Sequence, residues 1–307
     1  MKENNAINST WLESLTHGQQ PTHENLRDHL ATIHHNHAGF AESCALRCLD
    51  RSGYNSYEHL ARLADPIKHS DLLDLACGSG VLLELCRQQC GGQTILSGVD
   101  MSAEELALAR ARNPDPAVRL HQGVAQNLSF FDDRAFDVIL CHWALTVMDQ
   151  VALVMQEVQR LLRSDGIFAA IVDGDPATAP YYSEIHDLIY SFVRLEHANY
   201  GEIDLGDPRV RSARSLEQLA IETFKNASVS IEPLVFNLYA TPDVLAREAA
   251  GFFYASFVLS ASAHHKMLQE LEGLFAVQGK AKKCRFALPV NKLVIRVAST
   301  PSIKPRS

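Results

Sequence analysis

The chain has 307 residues, 47% of them apolar and 21% charged, with a formal charge of −8 at pH 7. That length and composition support one large domain with insertions, and the acidic balance with no dense Lys/Arg block argues against a nucleic-acid partner. Met1-Lys2-Glu3-Asn4-Asn5 leads into no apolar signal region, no run of roughly 18 apolar residues forms a membrane span, and the seven cysteines, an odd count, read as reduced thiols in the cytoplasm.

Residues 1–69 read mostly as helices. Leu26, Leu30 and Ile33 share one helical face, Ala45 and Leu49 a second, and Tyr57, Leu60, Ala61 and Leu63 a third. His34, His35 and His37, with Cys44 and Cys48 downstream, have no metal-ligand spacing and read as a polar helix end, so no metal site is expected. Strands and helices then alternate. Strands are expected at 71–75, 94–99, 117–121, 136–141 and 167–172. Helices are expected at 81–90, from the capping box Ser102-x-x-Glu105 to Asn113-Pro114, and at 149–163. This alternation implies a doubly wound, mostly parallel α/β sheet. The second half breaks the rhythm. An amphipathic helix spans 181–196 with Ile185, Leu188, Ile189 and Phe192 on one face, and Ser215-x-x-Gln218 caps another. A strand at 228–238, a long helical segment at 242–277 and a last strand at 286–298 follow; Gly279-Lys280-Ala281-Lys282-Lys283 reads as a solvated turn, and the tail from Pro301 as disordered.

The chemistry is concentrated in Asp74-Leu75-Ala76-Cys77-Gly78-Ser79-Gly80. The first strand delivers this turn to the carboxyl edge, where open α/β sheets bind ligands. Gly78 and Gly80 let a ligand approach the backbone, and the following helix N-terminus favours an anionic group. A dinucleotide fingerprint needs a small residue where Leu83 stands, and no GK[ST] follows for a P-loop. Asp74, the two glycines and Asp100 at the end of the second strand suit a nucleoside carrying an amino acid better than a dinucleotide.

On these residues the region 55–172 resembles the class I S-adenosylmethionine (SAM)-dependent methyltransferases, in particular the ubiquinone/menaquinone-type and natural-product small-molecule group. Val99-Asp100-Met101-Ser102 matches the strand-two acid, Phe136-Asp137-Val138-Ile139 the following F-D-x-V block, and Leu162-Arg163-Ser164-Asp165-Gly166, loosely, the helix-ending L-x-P-G-G. The last strand is similar to the family's antiparallel closing strand. The resemblance implies a Rossmann-like, seven-stranded, mostly parallel sheet. It also implies S-adenosyl-L-methionine as cofactor, with the Ala76–Gly80 backbone cradling its methionine portion and Asp74 acting at that end. Asp100 would accept from the ribose and Met101 pack on the adenine. The stretch Gly123-Val124-Ala125-Gln126-Asn127 departs from the pattern: Val124 replaces the adenine-reading acid, leaving Ala125, Gln126 and Asn127 to supply that contact. Tyr57 stands where similar enzymes lean a lid on the cofactor.

Methyl transfer needs in-line positioning above all, and a base only where the acceptor holds its proton tightly. His142, at the end of the fourth strand, is the candidate base and a candidate cofactor contact; His186 is a second candidate base. Trp143 reads as core, and Asp173 and Asp175 as turn residues. The expected organisation is a helical cap at 1–62, a cofactor-binding core at 63–173, a substrate-cap insertion at 174–213, core again at 214–240, a helical insertion at 241–282, a closing strand at 283–299 and a tail at 300–307. The expected activity is methylation of O, N or C on a small apolar or aromatic metabolite, with no nucleic acid or membrane as partner; homodimerisation is left open. The rivals are a SAM-binding protein with other or no catalysis, and an NAD(P)-dependent oxidoreductase.

Overall fold

The computed structural model describes residues 6–203, 205–278 and 284–298; the expected basic turn and the tail from Pro301 lie outside them. Strands β1 (Asp71–Leu75), β2 (Ile95–Asp100), β3 (Arg119–Gln122), β4 (Phe136–His142), β5 (Leu162–Asp173), β6 (Ala227–Ala240) and β7 (Cys284–Val297) form one sheet. Their order is β3-β2-β1-β4-β5-β7-β6. The first five strands pair in parallel, and β7 runs antiparallel to both of its neighbours. β1 is apolar on both faces because helices cover both.

Eleven α-helices are seen among the described residues. The N-terminal segment supplies α1 (Thr10–Thr16), α2 (His23–His37), α3 (Glu42–Arg47) and α4 (Ser56–Ala61). The alternating part supplies α5 (Val81–Cys90), α6 (Ala103–Arg112) and α7 (Val151–Leu161). Beyond β5 come α8 (Tyr182–Glu196), α9 (Ala213–Thr223), α10 (Pro242–Phe252) and α11 (Ala261–Gln278). None of these is long and apolar enough to cross a membrane. One core cluster joins the cap helices to one sheet face; a second packs α7 and α9 on the other.

The cap segments are tied to one another as well as to the sheet. Ile7 N donates to Phe257 O at 3.1 Å, Asn199 Nδ2 to Leu15 O at 2.9 Å, and Trp11 packs edge-on to Tyr200 at 5.2 Å. Three stretches far apart in sequence thus build one roof over the carboxyl edge.

The departures from the sequence reading have local causes. The 242–277 segment is two helices, not one. Phe252, Phe253 and Tyr254 all line the same cavity, and consecutive residues cannot share a helix face, so the helix unwinds there. The cap of α9 is Ser212, whose hydroxyl accepts from Ser215 N at 3.2 Å, in place of the expected Ser215. α7 begins at Val151 because Asp149 is held outside it by Arg27 and Gln126. Leu49 is not helical; it pairs with Asn237 as an isolated bridge. Leu83 does not hold α5 off the sheet. Gly98 on β2 makes the room: a Cβ there would lie 2.8 Å from Leu83 Cδ1.

Candidate functional site

A cavity of about 520 Å³ lies over the carboxyl ends of β1, β2, β4 and β5, between the sheet and the roof. Its floor at one end is the β1–α5 turn. Ala76 (φ 57), Gly78 (φ 49) and Gly80 (φ 78) are all left-handed, which folds the backbone tightly enough for α5 to start directly over the strand end.

Three carboxylates face this end. Asp74 is 1% exposed, and neither of its oxygens has a hydrogen-bond partner among the described residues. Burial, reinforced by the Asp100 charge, pushes its carboxyl well above the usual carboxylate range. Asp100, 9% exposed, accepts from Gly78 N and Ser102 N, each at 2.9 Å; burial raises it against the pull of those two donors. Glu105, 2% exposed, was expected to complete a capping box. Ser102 does cap α6, but the Glu105 carboxylate turns away from it. Its Oε1 accepts from Gly39 N at 2.8 Å and lies 2.8 Å from His34 Nδ1, while Oε2 is buried without a partner among the described residues.

Of the residues expected at a cofactor, Tyr57, Asp74, Ala76, Gly78, Asp100, Met101, Ala125, Gln126 and His142 all line the cavity. Two do not. Gly80 has its Cβ position filled by α6, 2.7 Å from Asn113 Nδ2 and 2.9 Å from Ala109 Cβ, so its lack of a side chain serves helix packing. Asn127 is exposed and closes a local turn, Oδ1 accepting from Ser129 N at 3.3 Å. Gln126 donates its amide to Asp149 O at 2.9 Å and Asp149 Oδ1 at 2.7 Å, which leaves its own oxygen as an acceptor.

His142 stacks on Tyr57 at 3.6 Å, and its Nε2 lies 2.8 Å from Ser56 Oγ. Burial lowers its pKa to about 3, so the ring is neutral at pH 7 and a poor proton acceptor. His186 lines the far side, stacked on Tyr190 at 4.1 Å. The histidines of α2 are dispersed: His34 bonds Glu105, His35 lies 2.7 Å from Glu104, and His37 packs on Phe257. The seven cysteines are buried and free of disulfides.

Two residues read as structural belong to the cavity. Trp143 is forced to φ 60 just past β4 and lines the wall; its indole N–H donates to Asp173 Oδ1 at 2.8 Å. Asp173 ends β5, and burial raises its carboxyl despite the indole bond and Arg211 at 3.9 Å. Glu105, Arg27 and Asp149 were missed because each acts through a partner far away in sequence. Of the α8 row Tyr182, His186, Tyr190 and Arg194, only His186 was expected at the site; the four-residue spacing is the signal that could have found the others.

Residues 73–170 match the family described as a methyltransferase domain. Over 132 residues the chain is 31% identical to 2-phytyl-1,4-naphtoquinone methyltransferase of Nostoc punctiforme, covering 42% of this chain and 56% of that protein. It is 28% identical to demethylmenaquinone methyltransferase of Lactobacillus johnsonii, covering 52% of this chain and 69% of that protein. It thus spans about half to two-thirds of the length of these curated relatives. Among solved structures, phosphoethanolamine N-methyltransferase 2 of Haemonchus contortus, in complex with phosphomonomethylethanolamine and S-adenosylhomocysteine, has the same fold: TM-score 0.53, 17% identity, 90% of this chain and 60% of that one.

Proposed function

With residues 73–170 forming a methyltransferase domain of the class I type, we propose that the protein binds S-adenosylmethionine in the acidic half of the cavity and methylates a small apolar or aromatic molecule held in the other half. The observation that carries this is Asp74, a buried carboxylate with no hydrogen-bond partner among the described residues, at the end of β1 just before the glycine turn. A buried acid in that state calls for a cation or donor from a ligand. The cofactor has an ammonium, a sulfonium and a ribose diol, which suit Asp74, Asp100 and Glu105. A dinucleotide has a pyrophosphate, which the same three acids would repel.

In this reading Asp74 meets the amino group, Asp100 the ribose, and Met101 and Ala125 flank the adenine, with the Gln126 oxygen as acceptor. Tyr57 and His142 form a stacked wall near the transferring group. When bound, the cofactor supplies a methyl group already activated by positive sulfur. The chain's own work is then to orient the acceptor, exclude water and hold a proton where one is released. Asp173 is better suited to that last role than either histidine first considered. Its Oδ1 is fixed by Trp143, burial raises its carboxyl above the usual carboxylate range, and it lies on the wall shared with α8.

The test is incubation of the protein with methyl-labelled SAM and a panel of phenols, quinols and aromatic acids, followed by mass spectrometry. Labelled product with matching S-adenosylhomocysteine supports the reading. Tight SAM binding with no transfer to any acceptor would favour non-methyl chemistry, and no SAM binding would refute the proposal.

A further inference from the structure

α8 presents two different sides to the protein. Ile185, Ile189 and Val193 are buried in the apolar core. Tyr182, His186, Tyr190 and Arg194 recur at every fourth position and all line the cavity, so they form one row along the helix, roughly 18 Å from end to end. The inner end of the row lies by Asp173, whose charge bears on Tyr182. The outer end, Arg194, is exposed.

The charges along this row are uneven. Among the described residues three arginines line the cavity. Arg27 is paired with Asp149 at 2.6 Å, and Arg211 lies 3.9 Å from Asp173. Arg194 has no carboxylate partner among the described residues; its guanidinium carbon stands 5.9 Å from the Tyr190 ring centre. The space between Asp173 and Arg194 is walled by Trp143, Tyr182, Tyr190, Tyr200, Phe252 and Phe253. Aromatic walls accept a flat apolar body, and a guanidinium without a carboxylate at the end of such a slot is a binding group for an oxyanion. The carboxylate oxygens without partners among the described residues, both of Asp74 and Oε2 of Glu105, belong to the other half, so an anion at Arg194 is separated from them.

We infer that the acceptor is an aromatic acid: its carboxylate is held by Arg194 at the cavity mouth, and its ring lies along Tyr190 and His186 with the opposite edge directed at Asp173. This rests on the methyl-transfer reading only for the word acceptor; the subsite itself is a matter of binding and is tested as such. The probes are a hydroxynaphthoate and the corresponding naphthol lacking the carboxylate, titrated calorimetrically into the full chain with S-adenosylhomocysteine present and absent. The hydroxynaphthoate should bind about tenfold more tightly than the naphthol, the advantage of one charge-assisted hydrogen bond pair at a partly exposed site. Arg194→Gln should remove that preference by weakening the acid alone, with naphthol affinity and circular dichroism unchanged, and Arg194→Lys should keep part of it. Equal affinities in the wild type, no binding of either probe, or a preference that survives in Arg194→Gln would overturn the anion subsite. Failure of S-adenosylhomocysteine to bind, with the acid preference intact, would instead refute the cofactor reading and leave the subsite standing.

Discussion

At the β1–β2 end of the cavity, Asp74, Asp100 and Glu105 are nearly inaccessible and come from β1, β2 and α6, elements close in sequence. At the α8 end, the lining comes from the β5 tip, α8, the loop after it and the α10–α11 junction, and is mostly aromatic. The first end leaves carboxylate oxygens unsatisfied within a rigid frame, which is costly unless a ligand completes it. The second end is built mainly from aromatic packing, and of the three arginines lining the cavity Arg194 has no carboxylate partner among the described residues. A fixed ligand calls for fixed, unsatisfied groups; the residues that select a variable ligand can be carried on insertions without disturbing the sheet.

If the α8 end holds the reacting atom, the largest effect should come from Asp173→Asn. We expect kcat to fall by about 10²–10⁴-fold, with S-adenosylhomocysteine affinity unchanged. The fall should be smaller for an acceptor that has already lost its proton at the assay pH. A kcat equal to wild type on a protonated acceptor would return Asp173 to a purely structural role.

The next effect separates frame from ligand contact. Gly80→Val puts a branched side chain at φ 78 and into Ala109 and Asn113. Strain and overpacking together should cost about 3 kcal/mol, read as a clear drop in melting temperature. A variant that melts like wild type and loses only ligand binding would show that Gly80 faces the ligand after all.

Asp74→Asn sharpens the contrast further. Because burial raises the folded-state pKa of Asp74 above its unfolded value, the ionised group destabilises the ligand-free fold at neutral pH, and that burden lifts as pH falls. The amide should therefore raise the melting temperature of the ligand-free protein while weakening S-adenosylhomocysteine about 10–100-fold, through loss of a charged hydrogen bond. Lower stability together with full affinity would contradict both halves of the argument.

The smallest effect concerns His29 and His142. Burial lowers them to about 4 and about 3, from 6.5 when unfolded. The unfolded chain thus takes up protons that the folded chain refuses, so the stability they contribute is complete above pH 6.5 and is lost on acidification below it. His142→Gln should reduce the loss between about pH 6.5 and about pH 5 by on the order of 1–2 kcal/mol, measured by chemical denaturation. An unchanged pH slope would mean that the ring is not held neutral.

The frame was legible because it is local. Alternation of apolar strands with helices marks β1 to β5, and Asp74, Gly78 and Asp100 sit at fixed places along it. What the sequence could not show depends on distant partners. Glu105 satisfies every local requirement of a capping box, and only the approach of His34 and Gly39 draws its carboxylate away. Gly80 looked like a ligand contact because a left-handed glycine beside a strand end serves that purpose as readily as helix packing. Phe252, Phe253 and Tyr254 fit a helix by composition; a shared cavity, invisible in the periodicity, unwinds it.

A calorimetric titration of S-adenosylhomocysteine and NAD into the wild-type protein and Asp100→Ala tests the acidic half of the cavity most directly. S-adenosylhomocysteine should bind the wild type, lose about tenfold or more in affinity in Asp100→Ala, and be unaffected by NAD as a competitor. Binding of NAD in its place, or full affinity for S-adenosylhomocysteine without the Asp100 carboxylate, would contradict the assignment of the acidic half of the cavity.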